Sequence, residues 1–478
     1  LPSNEPVGCL IGRSKNPITN PTVTYCNQIS RLIQNHCLEC HRRGEIGPFS
    51  MDEYDEVKGW AEMIVEVVEN RRMPPWHATD EHSEFSNARI LSDSDRQTFR
   101  EWLDQGTPYG DATKLPEPLQ LTEGWRLARQ PDRIISMRER PFKVPADGTV
   151  EYQYFVVDPG FKKDVWITAA EVIPGNRSVV HHSIVFVRPP DGSRFRGLGW
   201  LAAYVPGQVP PPLRETHARF VPANSKLVFQ QHYTPVGTDQ DDITKIGILF
   251  GDPKEITHEV YTLAALNQSF EIPPLSSSVK VQSEVPQFPR NGSLLGLMPH
   301  MHYRGKSFQF YCSDKEVKRQ LIDVPSYDFN WQHNYQLKEE IELSDVRSLT
   351  CQFEFDNSDQ NPFNPDPSET VTWGDQTWEE MAVAFVEVAE PIRSATASKA
   401  RELEEGDGLT SQPTVEKRAA DLVDEFFGRF DYDQDGRIVK HEVPKAIQRF
   451  RFGRIDKNDN GILERNELME MARQRFED

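Results

Sequence analysis

The residues of this 478-residue chain best able to do chemistry are its cysteines and histidines, and several of them are grouped. Cys37, Cys40 and His41 stand together in CLECH. Two thiols three residues apart, followed at once by an imidazole, let Cys37 and Cys40 form thioethers to a haem while His41 supplies an axial nitrogen. A disulfide or half a zinc site is the plainer alternative. The adjacent His, the helical surroundings and the lack of a second Cys-x-x-Cys favour covalent haem. A second axial ligand is expected from a later loop, and Met73 in RRMPPW is the best placed. Pro74 and Pro75 stiffen the chain there and forbid helix. Met63, His77 and His82 compete, Met63 reading better as core.

A second group lies on strand-like stretches. In a strand, residues i and i+2 share a face, so His300 and His302 of MPHMHYRGK can converge on one ion while Met301 turns away. His181 and His182 in VVHHSIVF are adjacent, and both can reach one ion only if the backbone bulges or the strand ends there. His232 sits in FQQHYTPVG. Each motif alone also reads as half-buried, satisfied histidine. Three imidazoles from one region, and two plus a softer donor from the next, suggest redox copper. Met381 in VTWGDQTWEEMAVAF is the candidate soft donor, with a core methionine as the bland reading.

Two acidic loops close the chain. DYDQDGRIVKHE places Asp431, Asp433, Asp435, Arg437 and Glu442 at the alternating and terminal ligand positions of a calcium loop, with Gly436 at the turn. DKNDNGILERNE repeats this with Asp456, Asn458, Asn460, Ile462 and Glu467 around Gly461. Their modest charge suggests structural or weak calcium sites.

The elements that must position these residues separate by composition. Residues 22–110 read as helical, opening the last helix with Ser92, Asp93 and Ser94 and closing it at Gly106. Residues 111–120 form a Pro-bearing linker. From 121 to 392, short alternating runs such as VEYQYFVV, KLVFQQHY and LTCQFEF predict antiparallel sandwiches. That length suits two, divided into 121–254 and 255–392. Residues 393–412 read as a charged linker, and 413–478 as helical around the acidic loops. The expected fold class is multidomain: an all-α haem domain, two antiparallel β-sandwich copper domains and an α-helical pair. Net charge of −20 argues against nucleic acid and anionic membrane surfaces as partners. No apolar run approaches the ~20 residues of a spanning helix. The chain opens at Leu1 without an initiator Met, as expected of a processed or trimmed form.

Two resemblances follow from these motifs. Residues 22–110 resemble a small class I cytochrome c. Over roughly 120–392, the order His-His, His-Tyr, His-x-His, Met resembles the copper type II, ascorbate-dependent monooxygenases, the group of peptidylglycine α-hydroxylating and dopamine β-monooxygenases. That resemblance implies two jelly-roll sandwiches facing each other across a solvent-filled cleft. It implies an electron-transfer copper on His181, His182 and His232, and an oxygen-binding copper on His300, His302 and Met381. It implies a disulfide between Cys312 and Cys351. It also implies hydroxylation of a substrate C–H bond by dioxygen, with ascorbate or a redox protein as donor. One departure concerns the substrate. Peptide-amidating relatives carry an arginine carboxylate clamp where this chain has Met298, so a C-terminal glycine substrate is not expected. Arg304 shares the face of His300 and His302 and could meet an anionic substrate, although a solvent-facing role is favoured. The calcium loops are of the EF-hand type.

The N-terminal EPVGCLIGR resembles the tail of a peroxiredoxin-like thioredoxin fold, making residues 1–21 an extension whose Cys9 could pair with Cys26. The expected protein is a periplasmic or secreted haem–copper monooxygenase with a small-molecule or peptide substrate. The haem segment would feed electrons to the coppers. The alternatives are a haem–copper electron-transfer or oxygen-reducing protein, and a non-enzymatic copper scaffold.

Overall fold

A computed structural model describes residues 20–392 apart from 44, 120–123, 208–211 and 315–316. Beyond 415 it describes residues 416, 419–420, 423, 426–427, 436–440, 443, 452–458 and 460–477. One compact unit runs to Pro189 and resumes at Phe195–Ile392; a second takes in Pro190–Arg194 and the residues after Ile392.

Strands dominate the first unit. An eight-stranded sheet has the order Arg133–Ser136, Lys245–Phe250, Val165–Ile173, His217–Val221, His258–Asn267, Ala382–Pro391, Ser293–His300 and Tyr335–Glu342. Two four-stranded sheets accompany it. One orders Gln153–Val157, Lys226–Tyr233, Val180–Arg188 and Trp200–Tyr204; the other orders Val279–Glu284, Ser348–Phe355, Gly305–Ser313 and Lys318–Val324. Each buries a hydrophobic core of its own. Phe229, Leu227 and Tyr233 belong to one, Phe308, Phe353 and Phe355 to the other. Burying one such side chain stabilises by roughly 1.5–3 kcal/mol. The alternation that makes this possible is plain in Lys226–Tyr233, where every second side chain is buried. His232 therefore faces away from its core.

The large sheet is continuous across both cores. Its halves join where His217 and Ala218 pair in parallel with His258 and Glu259. Parallel neighbours require a long crossover; here the intervening chain builds the strands Lys226–Tyr233, Gln240–Asp242 and Lys245–Phe250.

These findings correct the expected fold class. There is no separate all-helical domain before residue 111. The helices there, Ser30–His36, Tyr54–Gly59, Ala61–Glu69 and Asp93–Asp104, are short. The chain between the last two is extended and packs on the second β core: Phe85 bridges Leu337, and Trp76, Ala78 and Phe85 join that core's cluster. Trp76, Ala78 and Phe85 are thus buried by the sheet, while the short helices bury a cluster of their own around Ile29, Ile64, Phe99 and Trp102. Nor is an α-helical pair seen among the described residues at the C-terminus. The elements described there are two paired two-residue strands, Ile438–Val439 and Ile462–Leu463, with helices Phe452–Ile455 and Arg465–Glu477. Among the described residues no helix is long and apolar enough to cross a membrane. Residues 1–19, with Cys9, and the stretch 393–412 lie outside the described residues.

Cys312 and Cys351 are both buried free thiols, not a disulfide. On neighbouring antiparallel strands, Cys312 lies opposite Leu349 and Cys351 opposite Phe310. This diagonal offset typically separates Cα atoms by about 7–8 Å, at or beyond the upper limit of disulfide geometry. The Cys351 thiol instead points at the Ser283 carbonyl, 3.6 Å away. Cys26 is also a free thiol.

Candidate metal centre

His181, His182 and His232 are gathered by a bulge. The pairing of Val180–Arg188 with Lys226–Tyr233 shifts between Val180 and His182, so that His181 is the extra residue and His182 lies opposite His232. Val185 and Ser183 continue inward, Ser183 bonded to Gln231. His181 and His182 can then both leave the core side, as two ligands adjacent in sequence must. One nitrogen from each of the three rings lies within 4.8 Å of the others. The buried His181 Nε2 and His232 Nδ1 have no hydrogen-bond partner. Burial holds His181 down to about 4 and His232 to about 3, and His182 well below the usual imidazole value. His181 Nδ1 and His182 Nδ1 approach to 3.2 Å, and His182 Nε2 meets the Tyr152 hydroxyl at 3.3 Å. Neutral imidazoles gathered this closely suit a soft cation.

His300 closes the strand Ser293–His300 and His302 follows it. Leu297 and Met301 point into the second core, and Met298, His300 and His302 take the other face. Hydrogen bonds settle the proton on both rings. The Gln332 side-chain Nε2 donates to the Phe329 carbonyl at 3.1 Å, so its Oε1 is free to accept, and His300 Nδ1–H donates to it at 2.7 Å. His302 Nδ1–H donates to the Glu379 carbonyl at 3.1 Å. Both rings thus keep an Nε2 lone pair, and that of His302 is buried without a partner. Burial lowers His300 to about 4. Hydrogen bonds of this kind, made by the ring nitrogen that faces away from a metal, orient metal-binding imidazoles. Met381 precedes the strand Ala382–Pro391, in which Val383 lies opposite His300. Continued by two residues, that register sets Met381 opposite His302.

One neighbour escaped the sequence reading, and a second, Arg304, was expected to face solvent. Glu380, wholly buried, accepts from the backbone N–H groups of His302, Arg304 and Met381 and so ties all three together. Burial pushes its carboxyl up to about 8, against those donors and the Arg304 charge. Arg304 is 1% exposed. Its guanidinium donates to Asn357 Oδ1 and to the carbonyls of Trp378 and Asp366. It is neither solvent-facing nor open to a substrate; it braces the loop that carries Met381.

The implied open cleft between the two histidine groups is also corrected. Phe329 stands between them, its ring stacked on His181 at 5.1 Å, 6.3 Å from His232 and 6.0 Å from His302. It is 7% exposed, and His302 only 1%. The apolar ring of the 327–333 loop occupies space that water would otherwise fill.

A cavity of about 470 Å³ lies beside Met298, with Leu297, Trp200, Leu213 and Phe385 in its wall. Met298 and Phe385 are register partners, and Phe385 lies 6.3 Å from His300. Of the charged groups that line it, Arg219 pairs with Glu387, Arg126 with Glu39 and Glu45, and Arg129 with Asp132; Glu215 lines it as well.

At the other motif, His41 is 9% exposed. Its Nδ1–H donates to the Phe49 carbonyl at 3.2 Å, which leaves Nε2 for an axial bond. Gly47 permits this approach, since a Cβ there would come within 2.8 Å of His41 Nδ1. Cys37 and Cys40 are free thiols, and burial pushes Cys37 up to about 12. Neutral thiols beside a pre-oriented imidazole fit thioether attachment. Glu45, which bonds Arg42, Arg126 and Arg177, fastens this segment to the first β region. Met73 is half-buried and its N–H donates to the Val67 carbonyl. Met63 is exposed rather than core. His77 lies 5.9 Å from His333.

In the second unit, the Asp456 carboxylate accepts from Asn460 and Gly461, and Glu467 accepts from Lys457 and Glu464. Gly461 has φ +78°. The Asn458 and Asn460 side chains accept from Asn460 and Ile462 N–H groups. Oxygens are thereby drawn inward, as a hard cation needs. Of the first loop Arg437 is described; Asp431, Asp433, Asp435 and Glu442 lie outside the described residues.

No family model matches the chain, and no curated protein matches it. Among solved structures, it is similar to the major capsid protein P2 of bacteriophage PM2, at 8% identity and a TM-score of 0.25, over 55% of this chain and 98% of that one. It is also similar to the STIV MCP, at 9% identity and a TM-score of 0.22, over 54% and 95%. The infectious bursal disease virus VP2 subviral particle follows at 9% and 0.17, over 55% and 73%.

Proposed function

We propose that this chain is a haem- and copper-dependent monooxygenase that hydroxylates a substrate C–H bond with dioxygen. The observation that carries the reading is the pairing of two imidazole sets across Phe329, their rings neutral and three of their buried nitrogens without a hydrogen-bond partner. A solvated pair of surface histidines would have no reason to be so arranged, because each unsatisfied buried polar atom costs about 1–3 kcal/mol.

His181, His182 and His232 would hold one copper, and His300, His302 and Met381 the other. Cys37, Cys40 and His41 would hold haem. Bound copper would supply one-electron chemistry with dioxygen, and haem would supply electrons drawn from ascorbate or a redox protein. The chain's own residues do the rest. Gln332 and the Glu379 carbonyl fix the ring tautomers. Glu380 and Arg304 hold the His302–Met381 corner. Phe329 excludes water between the sets. The Met298 cavity receives the substrate, and its wall of Met298, Leu297, Trp200, Leu213 and Phe385 suits a largely apolar group. Calcium would brace the 456–467 loop. Covalent haem and extracytoplasmic copper agree with a periplasmic or secreted protein.

The test is copper content, with electron paramagnetic resonance of the oxidised protein and oxygen uptake against a substrate panel. Two isolated type II copper signals and substrate-dependent uptake are expected. Two coppers with no substrate dependence would make it an electron-transfer or oxygen-reducing protein. Fewer than two coppers per chain would sink the reading.

A further inference from the structure

The loop from Asp328 to His333 touches every candidate centre of the first unit. Its Phe329 ring stacks on His181, and the Asn330 side chain bonds to His181. Gln332 bonds His300. Trp331, between these two residues, points elsewhere. Its ring comes within 3.4 Å of the position a Cβ on Gly207 would take, and the Cys40 sulfur reaches the same position at 3.4 Å. Gly207 has φ +73° and no side chain to separate them. From the Cys40 sulfur, the path thus crosses one gap to the Trp331 ring. It then divides, one peptide bond to either side, and each branch ends in one hydrogen bond to a ligand imidazole.

We infer that Trp331 is the common electron conduit from the CLECH motif, with Asn330 as its branch to the His181/His182/His232 centre and Gln332 as its branch to the His300/His302 centre. This rests on the function proposed above. In each transfer a ferrous haem iron loses one electron and becomes ferric, and one Cu(II) gains it and becomes Cu(I). No proton need move. The external donor then returns the haem to the ferrous state, so filling both coppers takes two such cycles. Gln332 has a second, positioning role, since it sets which nitrogen of His300 carries the proton.

The test uses the full chain with haem and copper bound and all metals oxidised. The haem is reduced by a photoexcited one-electron donor, and its reoxidation is followed by absorbance. Trp331→Leu is expected to lose the fast phase of reoxidation while both copper resonance signals persist. Trp331→Phe, which keeps a ring in place, should retain it. Gln332→Leu should change only the copper signal of the His300 centre and weaken copper there by about 10–100-fold; Gln332→Glu, still an acceptor, should restore both. An unchanged fast phase in Trp331→Leu with both coppers bound overturns the conduit. So does loss of that phase in Trp331→Phe together with intact copper signals, because the ring would then not be what matters. Wild-type protein lacking haem or one copper overturns the parent reading, and the conduit with it, before any variant is made.

Discussion

Arg304 is a charged side chain in a place where charge is expensive. It stays because three acceptors, Asn357 Oδ1 and the carbonyls of Asp366 and Trp378, meet its planar fork, and a lysine cannot match that geometry. Arg304→Lys should lower stability by about 2–4 kcal/mol, read as the urea midpoint, and should weaken copper at the His300 centre. A substrate-binding arginine would give the opposite pattern, with intact stability and a raised KM for anionic substrates. His232→Ala is a complementary case. It removes one of three converging nitrogens and should abolish one copper signal while leaving the His300 signal. Both predictions concern contacts that sequence carries unequally. The histidines were legible because strand period is a local property: i and i+2 share a face wherever the strand lies. Gln332, Phe329 and Glu380 were not legible, because what matters about them is a partner 32 to 148 positions away. A lone Gln or Phe between turn residues has no spacing to betray it.

At the scale of elements, the bulge at His181 is one of the two geometries the sequence allowed for adjacent histidines on one ion, the other being a strand end. The extended course of residues 76–89 was not legible there. Trp76 and Phe85 look like the apolar residues of a helical domain until the second core is seen to take them. The missing disulfide is likewise a matter of register, which alternation alone does not set. Two element-scale predictions follow from geometry. Gly207→Ala meets both a positive φ and three atoms at 3.4 Å, and should cost at least about 1 kcal/mol, visible in thermal melts. The parallel seam carries the stacked pair His217 and His258, ring centroids 4.4 Å apart. Burial, then the neighbouring His258, lowers His217 to about 4. The folded chain therefore binds fewer protons than the unfolded chain between that value and the ordinary imidazole value near 6.5. Stability at this pair is present at neutral pH and is lost as pH falls through that window. His217→Phe, which keeps a stacked ring, should retain more of its pH 7 stability at pH 5 than wild type, as measured by urea unfolding.

Across the molecule, the CLECH segment is held to the first β region by Glu45 with Arg126 and Arg177, all largely buried at their charged ends. Glu45→Gln should weaken that attachment by about 1–3 kcal/mol. Unfolding followed at the haem should then separate from unfolding followed by tryptophan fluorescence, where wild type gives one transition. The continuous eight-stranded sheet has a consequence of a mechanical kind. The distance between the two histidine sets depends on two cores that share a single sheet, and those cores meet in it along only two residue pairs, His217 with His258 and Ala218 with Glu259. Any motion that widened the Phe329 gap would concentrate shear on that short stitch, and the amides of residues 258 and 259 should exchange with deuterium sooner than those of the long ladder that follows them. The molecule would open, if it opens, as a book does, along its spine.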